Sequence, residues 1–318
     1  MQPPLVSTII PVFNRAAMLR EAVASVFAQT YRPIELVIVD DGSTDDSVAI
    51  ADALATQHDC IRVVHRTNGG AGLAREAGRL AAQGEFIQYL DSDDLLLPQK
   101  FAIQVAGLRE HPECGVAYGR TRARFAGGTM TDAPWKRTGE QIETMFPAML
   151  ASRWWDTSTP LYRAELLRRA GPWTDLRREE DWEYDCRVSA LGVRLFDCEA
   201  WVSETRFTAE TQLSRDRSPA VLRDRAKAHA LILGHARRAA IPADAPEMKH
   251  FSRELFLLAR QCGAAGLDDE SCMLFELARD ASGASRDRMQ FRVYERLART
   301  FGWSRIGKLS CLSDRLRW

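Results

Sequence analysis

Three aspartates, Asp91, Asp93 and Asp94, follow directly on the apolar run Phe86 to Leu90. Like charges gather at the end of a buried strand where something neutralises them. Hard divalent cations such as Mg²⁺ or Mn²⁺ do so, taking one or two carboxylates with the remaining oxygens from water or substrate phosphates. The same residues also suit the first turn of a helix opened by Pro98, where acidic groups favour the dipole. A second acidic pair, Asp40-Asp41, precedes Gly42-Ser43. A turn and a Ser43/Asp46 capping box account for part of it, and Asp40 reads as structural. Asp41 is placed to accept the imide N–H of a uracil-like base, with Phe13 against the base face. A third cluster, Glu179-Glu180-Asp181-Trp182-Glu183, reads in two ways. Asp181 is either a helix N-cap or a base that takes a proton from a hydroxyl beside the wall of Trp182.

These groups need a scaffold that sets them side by side. Val6 to Val12, Leu36 to Val39, Ile61 to Val64 and Phe86 to Leu90 are short apolar runs separated by helical patterns, such as Leu19, Val23 and Val26 on one face. Near-continuous apolar strands alternating with helices predict an α/β fold with a mostly parallel, Rossmann-like sheet covered on both faces. Ligands in such sheets bind beyond the carboxyl ends of the strands. The polar residues gather there: Phe13-Asn14-Arg15, Asp40 to Ser43, Arg66 to Gly70, and Asp91-Ser92-Asp93-Asp94, with both asparagines of the chain, Asn14 and Asn68, among them. Further along, an edge strand is expected at Val116 to Tyr118 and a helix from Trp182 to Leu191. From about Pro219 the chain turns helical, with two helices around Gly263 to Asp268 that resemble a single tetratricopeptide hairpin.

Two glycine patterns miss. Gly70-Ala71-Gly72 follows the third apolar run and lacks the third glycine of a dinucleotide fingerprint, which disfavours a nicotinamide-dependent oxidoreductase. Gly302 to Leu309 has Walker A spacing but carries Leu309 where Ser or Thr belongs, and no apolar strand precedes it.

Taken together, Val6 to Arg15 (VSTIIPVFNR), Glu35 to Asp45 (ELVIVDDGSTD), Asn68-Gly69-Gly70 with Arg75, Leu90 to Asp94 (LDSDD) and Glu180-Asp181-Trp182 occur in a familiar order and spacing. Over about residues 5 to 205 the chain resembles the family 2 glycosyltransferases. The resemblance implies a GT-A fold and inverting transfer of a sugar from a nucleotide diphosphate donor, commonly a UDP-sugar. It implies that Pro11, Phe13 and Asp41 hold the base, that Asp91 touches the ribose, and that Arg75 lies near the nucleotide. Asn14, Arg15, Asn68 and Ser92 complete the donor rim. Asp93, with Asp94 close by, would bind Mg²⁺ or Mn²⁺, and Asp181 would be the general base. Glu180, Trp182, Trp154 and Trp155 are assigned to the acceptor side, although core packing is the competing use for each tryptophan. The processive Gln-x-x-Arg-Trp signature is missing from the sequence, so addition of one sugar to a saccharide or lipid-linked acceptor in surface polysaccharide or glycoconjugate synthesis is expected. A silent nucleotide-sugar-binding module and a nucleotidyltransferase are the alternatives.

The resemblance divides the chain into a GT-A domain, 1–215, and a helical region, 216–318, read as a contact for acceptor, membrane surface or a second copy. Forty-three basic residues balance forty-three acidic ones, so nothing favours a nucleic-acid partner. The balance is uneven: residues 286 to 318 hold nine basic and three acidic residues, a net of +6, and the other 285 hold 34 basic and 40 acidic, a net of −6. That basic tail, with Phe301, Trp303 and Trp318, reads in two ways, as a rest on an anionic membrane surface or as a solvated or subunit-contacting helix. Seven cysteines without a CxxC pair fit a reducing compartment. The first twelve residues lack the basic n-region of a secretory signal. A cytoplasmic location, peripheral at the inner face of the membrane, is the expectation.

Overall fold

The computed structural model describes residues 2–207 and 218–315. The expected division at 215/216 and the residues Arg317 and Trp318 lie outside them. Two compact units emerge, one of residues 1–145, 154–175 and 191–212, the other of 146–153, 176–190 and 213–318.

The first unit is built on one eight-stranded sheet, β3-β2-β1-β4-β7-β6-β8-β5. Its strands are β1 (Val6–Val12), β2 (Ile34–Asp40), β3 (Ile61–His65), β4 (Phe86–Tyr89), β5 (Leu95–Leu96), β6 (Cys114–Arg124), β7 (Leu161–Arg163) and β8 (Arg194–Arg206). The β1–β2, β1–β4, β2–β3 and β6–β8 pairs are parallel, and the rest antiparallel. The expected parallel half is therefore present, joined to a mixed half in which only β6–β8 is parallel. Because side chains alternate across a strand, β1 faces two layers. Val6, Ile10 and Val12 join a core with α1 (Ala16–Phe27), α2 (Ser47–Gln57) and α4 (Lys100–Glu110). Ile9 faces α3 (Ala71–Ala81), where a Cβ on Gly78 would fall 2.3 Å from its Cγ2. The close seating of α3 thus requires glycine. The short α5 (Ala164–Ala170) follows β7.

Pro11 sits inside a central strand, a place that normally rejects proline. Ile9 O accepts from Leu90 N while Val12 O accepts from Asp41 N, so odd residues of β1 bond towards β4. The β4 ladder ends at the Ile9–Tyr89 pair. Pro11 lies past that end, where no partner waits for an N–H.

The strand expected at 116–118 is not an edge. It is the middle of β6, which lies between β7 and β8. The reason is β8, whose Ser203, Glu204 and Thr205 are buried yet polar. Glu204 accepts from Arg122 Nε at 2.8 Å and pairs with Arg124 on β6. Burial alone would raise its carboxyl, but Arg124 and Arg122 hold it below the ordinary value. Cross-strand charge pairing, not apolar alternation, makes this strand.

The second unit contains α6 (Glu180–Ser189), α7 (Pro219–Arg238), α8 (Pro246–Ala264), α9 (Asp268–Ala281), α10 (Met289–Phe301) and α11 (Trp303–Arg315). The expected hairpin is α8 and α9. The Walker-like glycines have a packing use: a Cβ on Gly307 would meet Ala264 N at 2.5 Å, and one on Gly263 would meet Trp303 O at 2.7 Å. Glycine lets α8 and α11 touch backbone to backbone, while Gly302, at φ 91°, ends α10.

Two glutamates, Glu183 fully buried and Glu179 partly so, tie α6 and its N-cap to α7. Glu183 accepts from His235 Nε2 at 2.6 Å and from Arg187, and Glu179 meets Arg225 Nε at 2.7 Å and His229 Nδ1 at 3.0 Å. Burial would raise both carboxyls, yet His235 and Arg187 in one case, and His229 and Arg225 in the other, hold them below the ordinary glutamate value. Their contribution to stability is present above an unfolded glutamate pKa of about 4.3 and is lost as the pH falls through the lower folded value. Glu183→Gln is expected to cost about 3 kcal/mol at neutral pH. In thermal melts it should also flatten the decline below about pH 4; a variant as acid-sensitive as the parent would remove Glu183 as the source.

Candidate active site

The carboxyl ends of β1, β2 and β4 carry the residues expected to hold a donor, all within the first unit. After β1, Phe13 is 46% exposed, a bare aromatic face at the rim. Asn14 follows at φ 53°. Its Oδ1 accepts from the amides of Thr44 (2.7 Å) and Asp45 (3.3 Å), and its own amide donates to Ser43 Oγ at 3.1 Å. Asn14 therefore pins the β1 loop to the β2 loop. The Ser43/Asp46 capping box does not form: α2 starts at Ser47, and the Ser47 amide donates to Asp45 Oδ1 at 2.9 Å.

After β2, Asp41 is buried. It pairs with Arg66 and accepts from Gly69 N at 3.0 Å and Gly70 N at 2.8 Å. Asn68 Nδ2 donates to the Asp41 carbonyl at 3.0 Å. A carboxylate offers about four acceptor positions, so three of them serve the β3–α3 loop. Arg66 was not among the expected site residues. Its only signal was its place in the polar stretch after β3.

After β4, Asp91 accepts from Arg75 Nη2 at 2.6 Å. The Arg75 guanidinium is buried in α3 and lies 4.9 Å from the Trp173 ring centre. Ser92 is buried. Asp93 is driven above the usual carboxylate range by burial first and by Asp91 second, with Arg15 and Arg206 opposing. Asp94 is raised well above that range, again by burial first and by Asp93 second. It accepts from Ser158 Oγ at 2.6 Å, Thr205 Oγ1 at 3.4 Å and Arg206 N at 3.2 Å. Three of its roughly four acceptor positions thus tie the loop to Ser158 and β8, a structural use beside the metal-ligand role expected of it. The helix-start reading of the three aspartates also fails, because β5 intervenes and α4 begins only at Lys100.

Among the described residues no group of three or more His, Cys, Asp or Glu forms a ready-made metal cage. The residues nonetheless fit a divalent cation. Mg²⁺ commonly takes one or two carboxylates and completes its shell with phosphate oxygens and water. Asp93, crowded by Asp91, is a carboxylate whose ionised form such a cation would favour.

The remaining expected residues divide between the units. Trp154 and Trp155, in the first, are buried. Arg137 covers the Trp154 ring at 3.8 Å, and Trp155 packs 5.4 Å from Tyr118. Neither offers a face to a sugar, which corrects the acceptor-side expectation in favour of the core. Glu180, Asp181 and Trp182 belong to the second unit. Asp181 is not the N-cap; that position is Glu179, at φ 58°. Asp181 pairs with Arg153, whose Nε also meets Asp185 Oδ2 at 2.8 Å. Asp185 stands one helical turn beyond Asp181, a spacing that would have flagged a shared partner. Arg153, 28 residues away in sequence, carried no such signal. Trp182 donates from Nε1 to Met149 O at 2.7 Å and packs edge-on to His229.

If Asp94 is a structural tie and Asp93 a crowded charge, their removal differs without metal. Asp94→Ala should cost about 1–3 kcal/mol through its abandoned donors, whereas Asp93→Ala should leave the melting temperature unchanged or higher. Equal losses in a thermal melt would contradict the division.

The known proteins that this chain resembles are glycosyltransferases. Glycosyl transferase family 2 matches residues 7–168. GlyG, a glycosyltransferase of Streptococcus pneumoniae serotype 4, is 44% identical over 93 residues, 29% of this chain and 31% of GlyG. The uncharacterized glycosyltransferase YibD of Escherichia coli K12 is 37% identical over 95 residues, 30% of this chain and 28% of YibD. The match thus spans less than a third of either relative. Among solved structures, S. aureus TarS 1–349 in complex with UDP-GlcNAc has a TM-score of 0.70 at 19% identity, covering 97% of this chain and 92% of that one. The mannosyltransferase PcManGT of Pyrobaculum calidifontis, with GDP-Man and Mn²⁺, has a TM-score of 0.55 at 18% identity, covering 99% and 88%. The fold is the GT-A type of these enzymes, and the chain belongs to glycosyl transferase family 2.

Proposed function

We propose that the protein transfers a single sugar, with inversion, from a nucleotide diphosphate sugar to an acceptor hydroxyl. The observation that carries this reading is the crowded carboxyl of Asp93, raised by burial and Asp91 at the carboxyl end of the sheet in a family 2 chain. Phe13 supplies a face for the base and Asp41 its remaining acceptor position, while Asp91, held by Arg75, meets the ribose. The UDP-GlcNAc complex of TarS supports a UDP-sugar as donor.

A sugar nucleotide departs as a diphosphate; Asp93, with Asp91 beside it, would hold a divalent cation, which would supply charge neutralisation for that leaving group. The acceptor hydroxyl must lose a proton as it attacks, and Asp181 takes it. Arg153 fixes that carboxylate from one side, with Asp185 fixing Arg153 in turn. A single base and a single displacement give inversion. The acceptor is a saccharide or a lipid-linked sugar of surface polysaccharide or glycoconjugate synthesis. All seven cysteines are free, which fits a cytoplasmic enzyme.

Asp181→Asn should lower the transfer rate by about 10² to 10⁴ and leave donor affinity, read by calorimetry, within a few-fold. Retained transfer would remove Asp181 from the mechanism, and lost donor binding would make it a donor residue. Asp93→Ala should weaken donor binding in the presence of Mn²⁺ and be indifferent to chelator. A parent protein that binds donor equally well with chelator present would refute the role of the metal.

A further inference from the structure

The second unit carries a surface that sugar transfer does not use. On α10, Met289, Val293, Leu297 and Phe301 recur every four residues and are between 40% and 79% exposed. Its other apolar residues, Phe291, Tyr294 and Ala298, are buried. At about 100° per residue the apolar arc is thus wider than its cover, and the bare part forms one stripe. Val293 and Leu297 also share a groove of about 460 Å³ with Leu309 and Ile306 of α11 and Phe256 of α8. The exposed apolar atoms are contiguous.

Cations border this stripe. Phe256, Arg260 and Gln290 also line an adjoining groove, which adds Lys249, Arg253 and Arg288. No carboxylate lines either groove among the described residues. On α10 itself, Arg292 and Arg296 fall beside Met289 around the helix. Lys249, Arg253, Arg288, Arg292 and Arg296 are exposed and form no ion pair among the described residues. The acidic residues on this side are already committed: Glu295 meets Arg299 at 2.6 Å, and Asp287 meets Arg279 at 3.3 Å.

We infer that this face, α10 with the adjoining edges of α8 and α11, docks on an anionic lipid bilayer. The apolar stripe would enter the acyl boundary, and the arginines and Lys249 would rest on headgroup phosphates, as an interfacial helix requires. Long basic side chains reach outward over apolar surface without burying their charge. A second copy suits the face poorly, since a self-complementary contact would bring its unpaired cations together. Of the aromatic residues expected at the membrane, Phe301 takes part, whereas Trp303 packs 5.3 Å from Phe275. Among the described residues no helix is long and apolar enough to cross a membrane, so the contact is a surface one.

The test is sedimentation of the full chain with vesicles of phosphatidylcholine alone or mixed with phosphatidylglycerol. Two double variants accompany it, Val293→Ser with Leu297→Ser and Arg292→Gln with Arg296→Gln. The parent should follow the anionic vesicles at low salt and leave the neutral ones. Each pair should weaken partitioning roughly tenfold at an unchanged melting temperature, about 1 kcal/mol being available per basic residue near such a surface. Equal binding to both compositions, no binding to either, or full binding by both variants would overturn the inference. So would a dimer in size exclusion that the serine pair dissolves, which would assign the face to a second copy. No sugar transfer is read, so the outcome is independent of the proposed reaction.

Discussion

The central parallel strands bury both faces, and that constraint sends their polar chemistry to one end. Every residue of β1 and β2 is buried, so a carboxylate is tolerated only where the strand stops. Asp41, Asp91, Asp93 and Asp94 all stand at such stops. Four acids at one rim would repel one another and suffer desolvation, and the sheet survives because each has an answer. Arg66 and two loop amides answer Asp41, Arg75 answers Asp91, and hydroxyls of Ser158 and Thr205 answer Asp94. At Asp93, burial and the charge of Asp91 outweigh the opposing pull of Arg15 and Arg206, so its carboxyl is raised.

The second unit solves a related problem by other means. Its α6–α7 contact is made by Glu179 and Glu183 with Arg225, His229, Arg187 and His235. Buried pairs of this kind confer little net stability against an apolar contact of the same volume, but removal of one partner leaves a stranded charge. They fix α6 in one position, and α6 carries Asp181 with its own brace of Arg153 and Asp185. The base proposed at Asp181 would need a defined orientation more than it needs stability.

Most of the parallel half was legible in the sequence because its signals are local. Apolar runs of four to seven residues, glycine turns and the Asp-x-Asp stretch each declare themselves within a few positions. Of the mixed half only the segment of β6 at 116–118 was legible. β8 lies between β6 and β5 with its buried Glu204 satisfied by two arginines some eighty residues earlier, and no short window along the chain contains both. The same limit explains Trp154 and Trp155. A tryptophan looks alike in sequence whether it lies under Arg137 and Tyr118 or open to a sugar.

The residue types and their order by themselves determined the family, the carboxyl rim of the sheet and the identity of the acids that crowd it. The tertiary structure decided how those acids are paired: Asp94 ties to β8, Asp41 anchors the Gly69-Gly70 loop, and Asp93 is crowded by Asp91. It also decided that Gly307 of the Walker-like pair seats α11 on α8, and that one face of α10 has no cover among the described residues. The physical reason is the same in each case. Strand ends, turns and helical stripes arise from neighbours along the chain, whereas the neutralisation of a charge or the covering of an apolar face depends on partners that only folding brings within a few ångströms.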